Sequence, residues 1–176
     1  MHDDDHLIRR MQDGDAEAAE ALVNRYYEDI VRYCRWHAPQ PTLAEDAAQE
    51  TFLKFIRYLD RYKQRGHCRA FLYQIARHTC IDMARRHYLH DAPLDEAPEP
   101  VYDDAALTEL QARESLRDMV AQLPETQREI VLLRFGQSLT LREIAEVTAL
   151  PLRTVQSRLR AALKRLRTIY EKGEER

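Results

Sequence analysis

Residues 140–167 read TLREIAEVTALPLRTVQSRLRAALKRLR. Two segments with apolar residues at helical spacing flank a short break at residues 149–151, so the stretch predicts two helices joined by a tight turn. No acidic residue occurs between Val147 and Tyr170, whereas six basic residues do: Arg153, Arg158, Arg160, Lys164, Arg165 and Arg167. A basic second helix after a tight turn is typical of a helix-turn-helix, in which that helix enters a groove of duplex DNA.

The composition of the whole chain predicts an all-α fold. The chain has 176 residues, 44% of them hydrophobic, and only 4 glycines, which leaves little material for hairpin turns. Its three cysteines form no Cys-x-x-Cys pair. Cys34 and Cys80 fall on apolar helix faces and are interpreted as small buried residues rather than as a redox sensor, with a reducing cytoplasm as the expected location.

The charge distribution divides the chain into two modules. Lysine and arginine balance aspartate and glutamate in residues 1–90, at 14 each. Residues 91–106 contain six acidic residues, three prolines and no basic residue, which predicts a flexible acidic linker. The second module is therefore expected over residues 107–176.

Three helices are predicted in the first module, over residues 15–37, 42–61 and 69–88. The second of them is expected to begin at a Thr42–Glu45 capping box, with Phe52 and Ile56 on its inner face. Residues 1–6, MHDDDH, are interpreted as a solvated tail rather than a metal site. In the second module, further capping boxes are expected at Thr126–Glu129 and Thr140–Glu143, with Phe135 in the core.

Two surfaces of the first module have a functional interpretation. One is a compact acidic helix face at residues 45–50, which is either solvated or a docking surface. The other combines basic residues with tyrosines over residues 57–88, and such a mixture suits phosphates and unpaired bases. A helical bundle with exposed arginines explains the second surface equally well.

Two segments together resemble a known family. DAAQETFLKFIRYLDRY followed by FLYQIARHTCIDMARR resembles region two of bacterial extracytoplasmic-function (ECF) RNA polymerase sigma factors, and residues 123–167 resemble their region four. The resemblance implies a region 2 helical bundle in residues 1–90 and a region 4 helix-turn-helix in residues 107–176. It also implies a subunit that binds RNA polymerase core and directs promoter-specific initiation.

The resemblance assigns sites residue by residue. Docking on the largest polymerase subunits would use Asp46, Gln49, Glu50 and Phe52. Reading and melting of the minus-ten element would use Arg61, Lys63, Arg65, Phe71, Arg77, His78, Asp82, Arg85 and Arg86, with His78 and Asp82 facing bases. Reading of the minus-thirty-five element would use Thr140, Arg153, Thr154, Gln156, Ser157, Arg158 and Arg160.

Several positions depart from the family pattern. Family members often have Asn at the position of His78 and Trp at that of Phe71, which affects the minus-ten preference. They commonly have Gly at Ala149 and Arg153, and Lys at Gln156. Alanine at a positive φ is costly, so Ala149 is compatible with the turn only if its backbone avoids that region.

Partners follow from the same resemblance: RNA polymerase core, promoter DNA and an anti-sigma factor, with neither cofactor nor metal and no membrane insertion. The alternative is a stand-alone helix-turn-helix repressor or activator whose residues 7–90 sense a ligand or dimerise. An enzyme is disfavoured because no His-x-x-x-His or paired Glu/His motif lies on one helix face.

Overall fold

The computed structural model describes residues 3–63, 66–89 and 116–174, and these ranges contain helices and turns but no β-strand. The chain divides into two compact units, with the main boundary between Leu94 and Asp95. The all-α prediction is confirmed. The predicted linker, residues 91–106, and the predicted start of the second module at residue 107 lie outside the described residues.

Before the boundary, the described residues form four helices: α1 (Asp3–Gln12), α2 (Ala16–His37), α3 (Ala44–Tyr58) and α4 (Cys68–Leu89). Short 3₁₀ turns at Pro41–Leu43 and Leu59–Arg61 flank α3. After the boundary come α5, described over residues 116–121, then α6 (Glu125–Val131), α7 (Leu141–Thr148) and α8 (Leu152–Glu174). A π-helical turn, Leu132–Gly136, follows α6.

Helix α1 corrects the prediction of a solvated tail. Residues from Asp3 onward are helical, and Leu7, Ile8 and Met11 are buried. These three apolar residues share one helix face, so burying them against α2 stabilises a helix that its acidic start alone would not form. Asp4 adds polar contacts to α2, because it accepts hydrogen bonds from Arg25 (2.5 Å) and Tyr26 (2.6 Å).

The start of α2 agrees with the sequence, whereas the start of α3 does not. Asp15 caps α2 by accepting from the backbone N–H groups of Glu17 and Ala18 at 3.0 and 3.3 Å. At α3 the predicted Thr42–Glu45 box is absent, because the 3₁₀ turn makes Leu43 the residue before the helix. A proline at the first position of that turn explains the tighter geometry, since its ring fixes φ and removes one donor.

The core of the first unit lies between α2, α3 and α4. Leu22, Ile30, Phe55 and Leu72 are fully buried, and Tyr33 meets Tyr73 edge-on with ring centroids 5.4 Å apart. Aromatic pairs in this geometry contribute about 1 kcal/mol beyond the burial of their area. This core fixes the register between α3 and α4, the two helices that contain most candidate site residues.

After the boundary, α6 packs on α8, and Ile130, Leu133, Ile144 and Val155 are fully buried. The placement of Phe135 in the core was wrong, since its side chain is 60% exposed. The π-helical turn accounts for this, because one extra residue per turn rotates the positions that follow it.

The first of the two capping boxes predicted after residue 107 does not form. Pro124 is the N-cap of α6 and makes no side-chain cap, so the Thr126–Glu129 box is also absent.

Candidate polymerase and nucleic-acid interfaces

Helix α3 presents an acidic face to solvent. Asp46 and Gln49 are exposed, and Glu50 is partly exposed. The same side of the helix continues with Leu53 and Ile56, whose side chains are 57% and 45% exposed. Ile56 was predicted to point inward, and the structure corrects this. The face therefore combines carboxylates at its N-terminal end with uncovered apolar surface at its C-terminal end.

Phe52 does not share that face. Its side chain is 5% exposed, and its ring stacks on Tyr27 of α2 at a centroid distance of 6.2 Å. Residues 49 and 53 lie on the outer side of α3. Residue 52 comes three positions after residue 49, slightly less than a full turn, and this places its side chain toward the core. The burial confirms the inner-face placement that helical spacing predicted for Phe52 and gives it a packing role beneath the face, while its part in docking stays a prediction.

Glu50 belongs to an ion-pair network that links α3 to α4. It pairs with Lys54 at 3.0 Å and with Arg86 at 3.1 Å, and Lys54 also lies 3.7 Å from Asp82 and donates to Thr79 at 3.2 Å. Burial alone would raise the pKa of Glu50, but hydrogen bonds from Lys54 and Arg86 hold that pKa below its usual range. The candidate docking residue and two candidate DNA-binding residues thus share one network, which no sequence pattern indicated.

The outer face of α4 holds most of the predicted minus-ten residues. His78, Asp82, Arg85 and Arg86 are exposed, and Arg77 is partly exposed. Spacings of four and three residues place His78, Asp82 and Arg85 on one side of the helix. The structure therefore brings the two predicted base-reading residues together with a basic neighbour.

The remaining minus-ten candidates lie at the other end of α4. Arg61 and Lys63 are exposed in the segment that precedes the helix, and Arg65 lies outside the described residues. At 1.5 Å per residue, the backbone of residue 78 is about 15 Å along the helix from that of residue 68. The predicted set thus forms two groups, one along α4 and one before it.

Phe71 belongs to an aromatic cluster rather than to an open surface. Its ring lies 5.2 Å from that of Tyr62 and 5.9 Å from that of Phe55, and it is partly exposed. The Tyr62 hydroxyl accepts a hydrogen bond from the backbone N–H of His67 at 3.2 Å. The cluster ties together the two described ends of the segment that joins α3 to α4.

The start of α7 is capped as predicted. The backbone N–H of Thr140 donates to Glu143 at 2.7 Å, and the backbone N–H of Glu143 donates to the Thr140 hydroxyl at 3.2 Å. The predicted DNA contact of Thr140 therefore involves a hydroxyl oxygen that already caps the helix. After α7, Ala149 adopts φ +55°, so this turn does use the left-handed region that favours glycine.

The predicted minus-thirty-five residues of α8 form an exposed row and a partly exposed set beside it. Val155 and Ala162 anchor it to the core. Opposite them, Arg153, Ser157 and Arg160 are exposed at spacings of four and three residues. Thr154, Gln156 and Arg158 flank that row and are only partly exposed. A row of exposed basic and hydroxyl groups near a helix N-terminus can contact phosphates and base edges in a major groove.

All three cysteines are buried, as predicted for Cys34 and Cys80, whose sulfur atoms lie 3.8 Å apart. The hydrogen bond between the thiols, together with burial, raises the pKa of Cys34 far above its usual range. Burial raises the pKa of Cys68 to about 12. Among the residues that the structure describes, no group of three or more His, Cys, Asp or Glu side chains is placed to hold a metal ion.

Sequence patterns gave no sign of the contacts that α1 makes beyond α2. The Asp5 carboxylate accepts a hydrogen bond from the backbone N–H of Gly66 at 2.9 Å. The Gln12 amide donates to the backbone carbonyl of Leu59 at 3.0 Å. Apolar periodicity continued to residue 11 and could have revealed the helix, but these partners are about 50 to 60 residues away in sequence and follow only from the packing.

Comparison with known proteins identifies both units. Residues 22–89 match the family model for Sigma-70 region 2, and residues 113–166 match that for Sigma-70 region 4. The ECF RNA polymerase sigma factor ShbA of Streptomyces griseus is 31% identical over 179 residues, which cover 94% of each chain. The RNA polymerase sigma-H factor of Pseudomonas aeruginosa is 31% identical over 170 residues, covering 89% of this chain and 88% of the relative.

The fold is shared with a solved structure, that of CnrH in complex with the cytosolic domain of CnrY. Its TM-score is 0.72 at 22% identity, with 96% of this chain and 97% of the other covered. Within the described ranges, every helix is too short or too polar to cross a membrane. On the two region matches and the full-length relatives, the chain belongs to the family of extracytoplasmic-function RNA polymerase sigma factors.

Proposed function

We propose that the two units of this sigma factor divide its work. Residues 1–90 would act as region 2, which docks on RNA polymerase core and opens the minus-ten element. Residues 107–176 would act as region 4, which reads the minus-thirty-five element, and residues 91–106 would connect them. The observation that carries the proposal is that an exposed acidic face on α3 and an exposed basic row on α8 belong to separate units of a sigma factor.

Docking on the polymerase is assigned to the outer face of α3. Asp46 and Gln49 offer exposed polar groups, and Leu53 offers apolar surface beside them. Such a combination suits a partner helix with basic and apolar side chains, because charge steers the encounter and apolar burial stabilises the complex. Phe52 contributes by holding α3 against α2.

Promoter opening is assigned to α4 and to the segment that precedes it. His78 and Asp82 would face bases, while Arg77, Arg85 and Arg86 would neutralise phosphates. Arg61, Lys63, Arg65 and the partly exposed ring of Phe71 would lie along the separated strand. Extruding a base costs a few kcal/mol, which contacts made only by the unpaired strand must offset.

Reading of the minus-thirty-five element is assigned to the start of α8. Arg153, Ser157 and Arg160 would face the groove, with Thr154, Gln156 and Arg158 at its edges and Thr140 near the backbone. An arginine can pair with guanine through two hydrogen bonds, and a glutamine can pair with adenine in the same way. Arg153 and Gln156 therefore set this protein's sequence preference.

We further propose that an anti-sigma factor controls the protein in response to a signal, and that it acts in the cytoplasm as a specificity subunit rather than as an enzyme. Two DNA-binding units on one connector can both be blocked by a single partner. A partner that covers the α3 face would exclude the polymerase, and one that covers the α8 row would exclude DNA.

Reconstituted transcription tests the proposal. The full chain is mixed with purified RNA polymerase core and a template library randomised at the minus-ten and minus-thirty-five elements, and the transcripts are sequenced. We expect a complex with core and enrichment of defined bases at both elements. Duplex binding without core, in the absence of promoter-specific transcripts, would instead support a stand-alone helix-turn-helix regulator and overturn the proposal.

A further inference from the structure

We propose that helix α1 positions the minus-ten recognition segment, and that Asp5 and Gln12 are its positioning residues. The inference rests on the proposed role of Arg61, Lys63 and their neighbours in promoter opening. The segment between α3 and α4 is described over residues 59–63 and 66–67, on both sides of the two residues outside the description. Helix α1 makes a hydrogen bond to each of these two parts.

The contact of Asp5 fixes the second part. Its side chain is buried, at 7% exposure, although a buried carboxylate is costly unless it is hydrogen-bonded. It accepts from the backbone N–H of Gly66 at 2.9 Å, and Gly66 has φ +79°, a conformation that glycine adopts without strain. A buried charged acceptor is thus aimed at one backbone donor of the segment.

The contact of Gln12 fixes the first part. Its amide donates to the carbonyl of Leu59 at 3.0 Å and approaches that of Tyr62 at 3.5 Å. Gln12 follows Asp5 by seven positions, which is close to two helical turns, so both side chains leave α1 on the same side. The helix therefore spans the segment and holds both of its ends.

A third bond closes the arrangement within the segment itself. The hydroxyl of Tyr62 accepts from the N–H of His67 at 3.2 Å, so the two parts are joined to each other as well as to α1. The described parts of the segment, residues 59–63 and 66–67, are thus held by three hydrogen bonds in the free protein. Such preorganisation lowers the entropic cost of binding an unpaired base.

Asp4 shows that this role is specific to its neighbour. It has the same side chain and lies on the same helix, but it bonds to Arg25 and Tyr26 of α2 instead. Loss of Asp4 would loosen α1 on α2, whereas loss of Asp5 would release the segment. The two aspartates therefore form a matched pair for separating positioning from stability.

The test uses full-length variants in holoenzyme on the doubly randomised template library. We expect Asp5→Ala to reduce the preference for the favoured minus-ten bases about ten-fold, the lower end for one hydrogen bond to a charged group. Gln12→Ala should reduce that preference about five-fold, because its bond to the Leu59 carbonyl is between neutral groups. Base discrimination at the minus-thirty-five element serves as an internal control and should not change. Asp5→Asn, which keeps one acceptor oxygen, should restore much of the loss.

Other outcomes separate the two levels of the proposal. The positioning role is overturned if Asp5→Ala behaves like Asp4→Ala. In that case base preference would change equally at the minus-ten and minus-thirty-five elements, or at neither. If Arg61→Ala and Lys63→Ala also leave minus-ten opening unchanged, measured with 2-aminopurine fluorescence, the proposed function of the segment fails with it. If those two variants impair opening while Asp5→Ala does not alter discrimination, only the role of α1 is rejected.

Discussion

Arg86 on α4 donates to both carboxylate oxygens of Glu50 on α3, at 3.3 and 3.1 Å. One residue was predicted to dock on the polymerase and the other to bind a DNA phosphate. Because they pair with each other in the free protein, a phosphate that approaches Arg86 must compete with Glu50. The Glu50–Arg86 ion pair therefore links a residue proposed for polymerase docking to one proposed for DNA binding.

Removing Arg86 should lower stability slightly and change its dependence on pH. The pKa of Glu50 is lowered in the folded protein, so the pairing stabilises the fold above the ordinary glutamate pKa of about 4.3 and is lost as pH falls below it. The pair is partly exposed, so Arg86→Ala should cost about 0.5 kcal/mol at pH 7. Urea unfolding at pH 7 and at pH 3 measures this.

The exposed neighbour Arg85 provides the control for that experiment. Arg85→Ala should change the free energy of unfolding by the same small amount at pH 7 and at pH 3, whereas the cost of Arg86→Ala should shrink at pH 3. A cost of Arg86→Ala that is the same at both pH values would show that the ion pair does not contribute.

Reversing the charge of Asp46 should weaken binding to RNA polymerase core. Asp46 is exposed, so its substitution tests docking without breaking the α3–α4 network, as a change at Glu50 would. We expect Asp46→Lys to reduce affinity about ten-fold or more in low salt, because like charges across an interface repel. Fluorescence titration with labelled core measures the affinity, and Glu20→Lys on α2 is the matched control. Equal affinities for both variants would remove Asp46 from the docking face.

Periodicity in the sequence identified the helices that have their own apolar stripe. It failed where a neighbour decides the outcome. The spacing of Leu7, Ile8 and Met11 is compatible with a helix, but it is packing on α2 that makes residues 3–12 a helix rather than a tail. Similarly, Ile56 has helical spacing with the core residues of α3, yet its side chain is 45% exposed.

The candidate sites show the same limit. The resemblance assigned His78 and Asp82 to one base-reading face, and a separation of four residues along a single helix is enough to place them together. The sequence could not place Glu50 beside Arg86, since the pairing depends on the register between α3 and α4 that the buried core sets. The resemblance assigned Phe52 to the docking set, whereas helical spacing placed it on the inner face, where it stacks on Tyr27.

Removing Arg160 should flatten the salt dependence of promoter binding. Arg160 is exposed on the row that faces away from Val155 and Ala162, where a phosphate or a base edge can reach it. We expect Arg160→Ala to reduce the slope of log K against log salt by about 1 if it contacts a phosphate. Arg167→Ala is the control, because Arg167 pairs with Glu171 further along α8. Fluorescence anisotropy of holoenzyme on a selected promoter measures both, and an unchanged slope would exclude Arg160 from phosphate contact.

The buried thiols should resist modification until the first unit unfolds. A thiolate is the reactive form, and the pKa of Cys68 is raised to about 12 by burial. We expect an aromatic disulfide reagent at pH 8 to label none of the three cysteines rapidly in the native protein and all three in denaturant. Rapid labelling of the native chain would contradict the burial of these side chains.

The same shift predicts that stability falls in alkali. The folded thiol of Cys68 keeps its proton to a higher pH than an unfolded thiol, whose pKa is 9.0. Its contribution is therefore complete below about pH 9 and declines as pH rises toward 12. Unfolding of Cys68→Ala should depend less on pH than that of the native chain between pH 9 and 11, and equal slopes would contradict the assignment.

Replacing Ala149 with glycine should stabilise the second unit. Ala149 has φ +55°, and the backbone N–H of Leu150 bonds to the carbonyl of Ala145 across it at 3.1 Å, which is the usual geometry of a helix end. The left-handed conformation costs an alanine about 1–2 kcal/mol, and the greater freedom of unfolded glycine offsets part of the gain. We expect Ala149→Gly to raise the free energy of unfolding by about 0.5–1 kcal/mol.

The control for that substitution is Ala145→Gly, the same change inside α7. There the backbone is helical, so glycine should destabilise by about 1 kcal/mol and the sign reverses. Urea denaturation followed by circular dichroism compares the two variants with the native chain. An unchanged or lower stability for Ala149→Gly would mean that the turn between α7 and α8 holds alanine without strain. The glycine expected at this position from the family pattern would then serve a different purpose.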